Sequence, residues 1–257
     1  MGKYRVAYAT GSRADYGIVK KFLGLLDKDK DIEFSVLVTG SHLEDKFGHS
    51  VDIIRQDGFK IDLEIPLNIE NDSNANVMHC MASALDCFGN YFENNKFDLL
   101  IILGDRYEMM AVAIAAAMQR IPILHLHGGE VTYGNYDEFI RHSITKMSQY
   151  HFTSTEVYRK RVIQLGEDPK RVFYLGALGA ENCCKIDEEK VIEKVKELTA
   201  QKYWVVAFHP ETLTAVKMEE QVREILTALQ KNMDGMSVVF MLSLIHISEP
   251  TRRRGIS

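Results

Sequence analysis

Apolar residues recur in two alternating rhythms over residues 1–175. Short apolar runs of strand length fall at residues 4–9, 32–38, 60–65, 99–103, 123–126, 150–153 and 171–175. Between them lie stretches of helical period. The first carries Ile18, Val19, Phe22, Leu23, Leu25 and Leu26, and others are expected at 48–56, 77–93, 107–119, 136–147 and 156–165. Ser73 or Asn74 is placed to cap the third, and Gly166 closes the last. The run LLIIL (99–103) is apolar throughout and ILHL (123–126) is apolar but for His125, the mark of strands covered on both faces in a parallel sheet. Strand and helix in regular alternation predict an α/β fold built on a doubly wound parallel sheet.

The rhythm pauses at Gly176-Ala177-Leu178-Gly179 and then resumes. A charged helix at 187–200, a strand at 203–208, a helix at 218–231 and a strand at 237–241 read as the opening of a second α/β domain. The expected division is therefore 1–178 for a first domain and 179–241 for the start of a second. The last residues, 242–257, read LSLIHISEPTRRRGIS and carry neither period beyond their first few positions. This stretch resembles the read-through of a transposase-type sequencing adapter. The natural sequence is accordingly expected to stop near Met241, leaving a second domain too short to bury a core.

Composition narrows the partners. The chain has 257 residues, 46% of them hydrophobic, enough for one large or two modest cores. A net charge of −5 and a pI near 6.0 speak against a general nucleic-acid or membrane-surface binder, while local basic clusters can still grip a phosphate. Cys80, Cys87, Cys183 and Cys184 show no CxxC spacing, so neither a zinc knuckle nor a disulfide framework is expected and a reducing cytoplasm fits. The N-terminus MGKYRVAYAT lacks a signal-peptide core, and no apolar run reaches membrane-spanning length.

Chemistry gathers at the strand ends. The 99–103 strand runs into Gly104-Asp105-Arg106, and the 123–126 strand into His127-Gly128-Gly129-Glu130. A βαβ unit puts both ends on one rim, so Asp105, Arg106, His127 and Glu130 are expected to crowd together where open α/β sheets bind ligands. The first strand leads into GSRADYG, with Arg13, Ala14 and Gly17, a glycine-containing turn before a helix that suits a phosphate or is an ordinary βα turn. The second leads into GSHL, with His42. Asp137 and Arg141 lie on the helix that follows the HGGE turn, and His209 closes the 203–208 strand. The His125-x-His127 pair lacks the third ligand of a catalytic zinc site, so no metal is expected.

GSRADYG, GSHL, LGDRYE, HLHGGE, YDEFIRHSITKMS, STEVYRKRVIQLGE and FHPET, in this order and spacing, resemble the hydrolysing UDP-N-acetylglucosamine 2-epimerases of bacterial sialic acid biosynthesis. The resemblance covers residues 4–241. It implies two Rossmann-like domains of the GT-B type with the nucleotide sugar between them, the second incomplete here. It further implies conversion of UDP-N-acetylglucosamine and water into UDP and N-acetylmannosamine, by elimination to a glycal and rehydration, without a cofactor. Asp105, Glu130, Asp137 and His127 would be catalytic. Arg13, Ala14, Gly17, His42, Arg106, Arg141 and His209 would bind substrate, and the full-length form would be a homo-oligomer. Several relatives carry Glu where this chain has His127, so either His127 or Glu130 takes that role. Another nucleotide-linked acetamido sugar, a UDP-sugar glycosyltransferase and a non-catalytic nucleotide-binding module are the competing expectations. As written, the chain is not expected to turn over substrate.

Overall fold

The computed structural model describes residues 2–71, 73–133, 136–183, 193–208, 216–232 and 235–241. It divides into two units, Met1–Cys184 and Lys185–Ser257. In the first, β1 (Tyr4–Thr10), β2 (Ile32–Thr39), β3 (Ile61–Ile65), β4 (Leu99–Leu103), β5 (Ile123–Leu126), β6 (Tyr150–Thr153) and β7 (Val172–Tyr174) form one sheet. Their order is β3-β2-β1-β4-β5-β6-β7, and every pairing is parallel. Between them run α1 (Arg13–Lys28), α2 (Val51–Gln56), α3 (Asn74–Asn94), α4 (Tyr107–Met118), α5 (Asp137–Met147) and α6 (Glu156–Gln164), with α7 (Leu178–Cys183) after β7. Strand order reverses direction at β1 and β4, where a doubly wound sheet opens its ligand crevice.

Period-two alternation along the strands supplies two cores. Ala7, Ala9, Leu37, Leu100, Ile102 and Ile123 face α3, α4 and α5. Val6, Tyr8, Val36, Val38, Ile101, Leu103, Leu124 and Leu126 face the side covered by α1 and α2. The small side chains of YEMMAVAIAAAM let α4 lie close to the sheet, with Ala111, Ala113, Ala115 and Ala116 buried. Phe88 and Phe92 of α3 belong to the same core, their rings 5.7 Å apart.

Element edges shift in ways local chemistry explains. The helix expected from 77 starts at Asn74, because the Ser73 hydroxyl accepts from the Asn76 amide at 3.3 Å. The helix expected at 48–56 starts at Val51, after a short 3-10 turn, Asp45–Phe47, that ends at Gly48 with φ +84°. The first unit extends past the expected boundary at 178 because Leu178 packs on the α1-side core and Gly179 lies against Ile18.

The second unit contains α8 (Glu193–Thr199), β8 (Tyr203–Ala207), α9 (Met218–Asn232) and β9 (Ser237–Met241), with β8 and β9 paired in parallel. The N-terminal part of the helix expected at 187–200, His209 and the 242–257 tail lie outside the described residues. Among the described residues, no helix is long and apolar enough to cross a membrane.

Phe88 is fully buried in the core that α3 shares with α4, so Phe88→Ala removes a large apolar side chain from that layer. A loss of about 3–5 kcal/mol in urea unfolding is expected; a loss below about 1 kcal/mol contradicts this packing.

Candidate active site

At the ends of the paired strands β1 and β4 the chain continues into Gly11, Ser12 and Arg13 on one side and Gly104, Asp105 and Arg106 on the other. Ser12 caps α1, its hydroxyl accepting from the Asp15 amide at 3.3 Å. Arg13, Ala14 and Gly17 are exposed along the first turns of α1. Arg106 donates from Nε to Oε1 of fully buried Glu108, and its Nε stands 3.8 Å from Asp15 Oδ2. Burial raises the Asp15 carboxyl to about 6; Arg106 pulls the other way, and Glu108 adds to the rise. Asp137, half-buried at the start of α5, is also raised by burial, again opposed by Arg106 and reinforced by Glu108. One guanidinium thus acts on three carboxyl groups from three helices.

A second group stands at the end of β5. Arg141, almost wholly buried on α5, donates from Nη2 to Asp105 Oδ2 and to Thr132 Oγ1 at 2.8 Å. Its Nη1 donates to the Glu130 carbonyl at 2.8 Å and to Glu138 Oε2 at 3.3 Å. Arg141 therefore ties the β4 end to the segment that follows β5. His127 itself sits at φ +63°, a left-handed conformation that a non-glycine residue seldom holds. Its amide donates to the Phe152 carbonyl at 2.9 Å, Gly129 leaves no room for a Cβ beside the Tyr158 carbonyl, and a Cβ on Gly128 would sit tightly against His125 and Thr145. The turn aims the ring so that Nδ1 lies 2.9 Å from Glu130 Oε1, while Ser154 Oγ donates to the same oxygen at 2.6 Å. Burial tends to raise the Glu130 carboxyl, but the His127 and Ser154 hydrogen bonds outweigh it and the net shift is downward. His127 Nε2 is buried and meets no hydrogen-bond partner among the described residues.

The four residues expected to crowd together thus occupy neighbouring strand ends but divide by partner. Arg106 joins Glu108 and Asp15, Asp105 joins Arg141, and His127 joins Glu130. His42 has no open surface for substrate: it is fully buried, with Nε2 3.0 Å from Thr10 Oγ1 and Nδ1 2.9 Å from Ser50 Oγ. Arg141 is likewise an internal organiser, and His209 lies outside the described residues. The sequence pattern does not single out Asp15, Glu108 or Ser154, and it marks His125 only as half of a His-x-His pair. The legible signal for Glu108 was a lone acid near the start of an Ala- and Met-rich helix. His125 bridges the layers, its Nε2 2.8 Å from the Gly104 carbonyl and its Nδ1 3.1 Å from Thr145 Oγ1.

The family model for UDP-N-acetylglucosamine 2-epimerase matches residues 25–254. The chain belongs to this 2-epimerase family. It is 47% identical over 227 residues to the polysialic acid biosynthesis protein P7 of Escherichia coli, covering 88% of this chain and 58% of that protein. It is 35% identical over 243 residues to the GDP/UDP-N,N'-diacetylbacillosamine 2-epimerase (hydrolyzing) of Campylobacter jejuni, covering 93% and 63%. The chain therefore spans less than two thirds of the length of these curated relatives. Among solved structures, the UDP-GlcNAc 2-epimerase of Neisseria meningitidis bound to UDP-GlcNAc superposes with a TM-score of 0.76 at 20% identity, over 92% of this chain and 65% of that one. That likeness establishes the 2-epimerase fold, α/β with Rossmann-like units.

Two buried histidines of this 2-epimerase rim make its stability depend on pH. Burial lowers His42 to about 4, with Arg106 adding to the shift and the Ser12 backbone opposing it. Burial also lowers His125 to about 4, against the Gly104 carbonyl. Unfolded, each ring titrates near 6.5, so between about 6.5 and 4 the unfolded chain binds protons that the folded unit excludes. Their contribution is complete above about 6.5 and is lost as pH falls through that window, by up to about 1.4 kcal/mol per pH unit for each ring. Asp15, raised to about 6, and Asp137, also raised, work in the opposite sense, while Glu130 and buried His151, both lowered, add to the loss on acidification. The melting temperature should fall from pH 6.5 to 4, less steeply in His42→Gln; equal slopes contradict the assignment.

Proposed function

We propose that this protein is a hydrolysing 2-epimerase that converts UDP-N-acetylglucosamine and water into N-acetylmannosamine and UDP. The observation that carries this reading is the His127 ring, aimed by a left-handed backbone, bonded at Nδ1 to Glu130 and left with an unpartnered buried Nε2. A carboxylate on Nδ1 fixes the tautomer that leaves Nε2 free to take a proton. The hydrogen at C2 of an acetamido sugar is not beside a ketone, so its removal has to be coupled to departure of a leaving group. His127 Nε2 takes the C2 proton as the C1–O bond breaks. The C2–H electron pair becomes the C1=C2 bond of a glycal, and UDP departs with the C1–O pair. Water then adds across the double bond, its hydroxyl to C1 and a proton to C2 from the opposite face.

The other groups fit around this step. Asp137, raised by burial, donates a proton toward the leaving oxygen. Arg106, Arg13 and the capped start of α1 receive the diphosphate charge. Asp105, held by Arg141, stabilises positive charge as it develops at C1. Glu130 and Ser154 orient His127 rather than touching the sugar. The resemblance to the Campylobacter jejuni enzyme, and 41% identity over 177 residues to the UDP-N,N'-diacetylbacillosamine 2-epimerase (hydrolyzing) of Legionella pneumophila, support a second reading. In it the same chemistry acts on a UDP-linked 2,4-diacetamido hexose.

Relatives are longer than this chain, so the test uses a version continued to their length with the C-terminal region of the Escherichia coli relative, assayed beside the 257-residue chain. We expect turnover from the continued version alone; equal turnover from both overturns that part of the reading. With UDP-N-acetylglucosamine the expected products, followed by NMR, are UDP and free N-acetylmannosamine. Release of a free sugar from the diacetamido substrate alone selects the second reading, while transfer to an acceptor, or UDP binding without turnover, overturns both. His127→Gln and Asp137→Asn should each lower kcat by about 10²- to 10⁴-fold. Glu130→Gln should cost less than His127→Gln, and the reverse ranking would make Glu130 the base.

A further inference from the structure

The proposed chemistry leaves Glu108 without a task. It lies near the start of α4 on a helix otherwise free of charge, is fully buried, and has one oxygen on Arg106 Nε. Its second oxygen, Oε2, has no hydrogen-bond partner among the described residues. A carboxylate withdrawn from water in this way is costly to the fold, so its surroundings ought to show whether it is incidental. Two separate turns are shaped around it. A Cβ on Gly11 would overlap Glu108 Oε1, and one on Gly40, at φ +61°, would lie 2.9 Å from the same oxygen and 2.7 Å from the Gly11 carbonyl. The ends of β1 and β2 thus both give way to this one carboxylate. Ser41 Oγ closes the arrangement, donating to the Gly11 carbonyl at 3.0 Å. Arg106 is held from below by Glu108 and flanked by Asp15, while about a third of its side chain remains open at the rim.

We propose that Glu108 is a positioning residue: it fixes the Arg106 guanidinium, through a carboxylate cradled by Gly11 and Gly40, in the orientation that receives the diphosphate of the nucleotide sugar. This rests on the nucleotide-sugar reading above. A long arginine side chain is a poor anion receptor while it samples many rotamers; anchored at Nε, it keeps its terminal nitrogens directed at one place before the ligand arrives. Asp15 alone does not serve, because at 3.8 Å it makes no hydrogen bond to the guanidinium.

The test is a double-mutant cycle on UDP binding, read by calorimetry in the chain continued to the length of its relatives. Wild type, Glu108→Gln, Arg106→Gln and the double variant are compared. Glu108→Gln should weaken UDP by about 10- to 100-fold, and the double variant should bind no worse than Arg106→Gln alone. Gly11→Ala, which keeps every charge but pushes Glu108 off Arg106, should weaken UDP in the same direction, and it carries the test if Glu108→Gln does not fold. Wild-type affinity in Glu108→Gln or Gly11→Ala, or losses that multiply in the double variant, overturns the proposal whatever happens to the melting temperature. Failure of the underlying reading looks different: the wild type then binds UDP but releases no free 2-epimerised sugar, and the cycle is still read from binding.

Discussion

Two guanidiniums organise this rim. Arg106 and Arg141 are each drawn partly or wholly out of water, and each is surrounded by carboxylates from different elements, so the strand ends cannot shift independently. Arg141 has the larger set of partners, joining Asp105 after β4 to Thr132, Glu130 and Glu138 around the start of α5. The segment carrying His127 and Glu130 is held besides by Ser154, which donates to Glu130, and by Arg161, whose Nη1 donates to the Gly129 carbonyl at 2.6 Å. Burying such charges is costly, and the structure accepts that cost where it gains a preset field.

Backbone geometry supplies the rest of the precision. His127 is held in the left-handed region between a strand and two glycines, and the Phe152 carbonyl, Thr145 and Tyr158 leave little freedom around it. The same economy of space appears beside Glu108, where Gly11 and Gly40 admit a carboxylate that any larger residue would displace. In both places small residues let a charged or basic group come close to backbone. Strain of this kind persists only when its surroundings over-determine it, and it concentrates where chemistry is done.

Much of this was legible in the sequence, and the parts that were not share a cause. Strongly apolar runs, LLIIL and, but for His125, ILHL, announce a parallel sheet, and the glycine and acid that follow each one announce a loaded rim. Pattern gave no access to partners across long separations: nothing at Asp105 announces Arg141, and nothing at Glu130 announces Ser154. His42 reads in the sequence as a strand-end histidine that would bind substrate, yet it is enclosed by Thr10 and Ser50 in the turn after β2. Glu108 was passed over since an acid in the first turn of a helix is ordinary; only its burial beneath Gly11 and Gly40 sets it apart.

Proton removal at C2 by a group on this rim is the step on which the functional account depends. Its most direct measurement is the reaction of UDP-N-acetylglucosamine in heavy water, with the released sugar analysed by NMR. The account predicts one deuterium at C2 of N-acetylmannosamine, because the hydrogen taken by His127 is replaced from solvent when water adds to the glycal. A product that keeps its original hydrogen at C2 would contradict it.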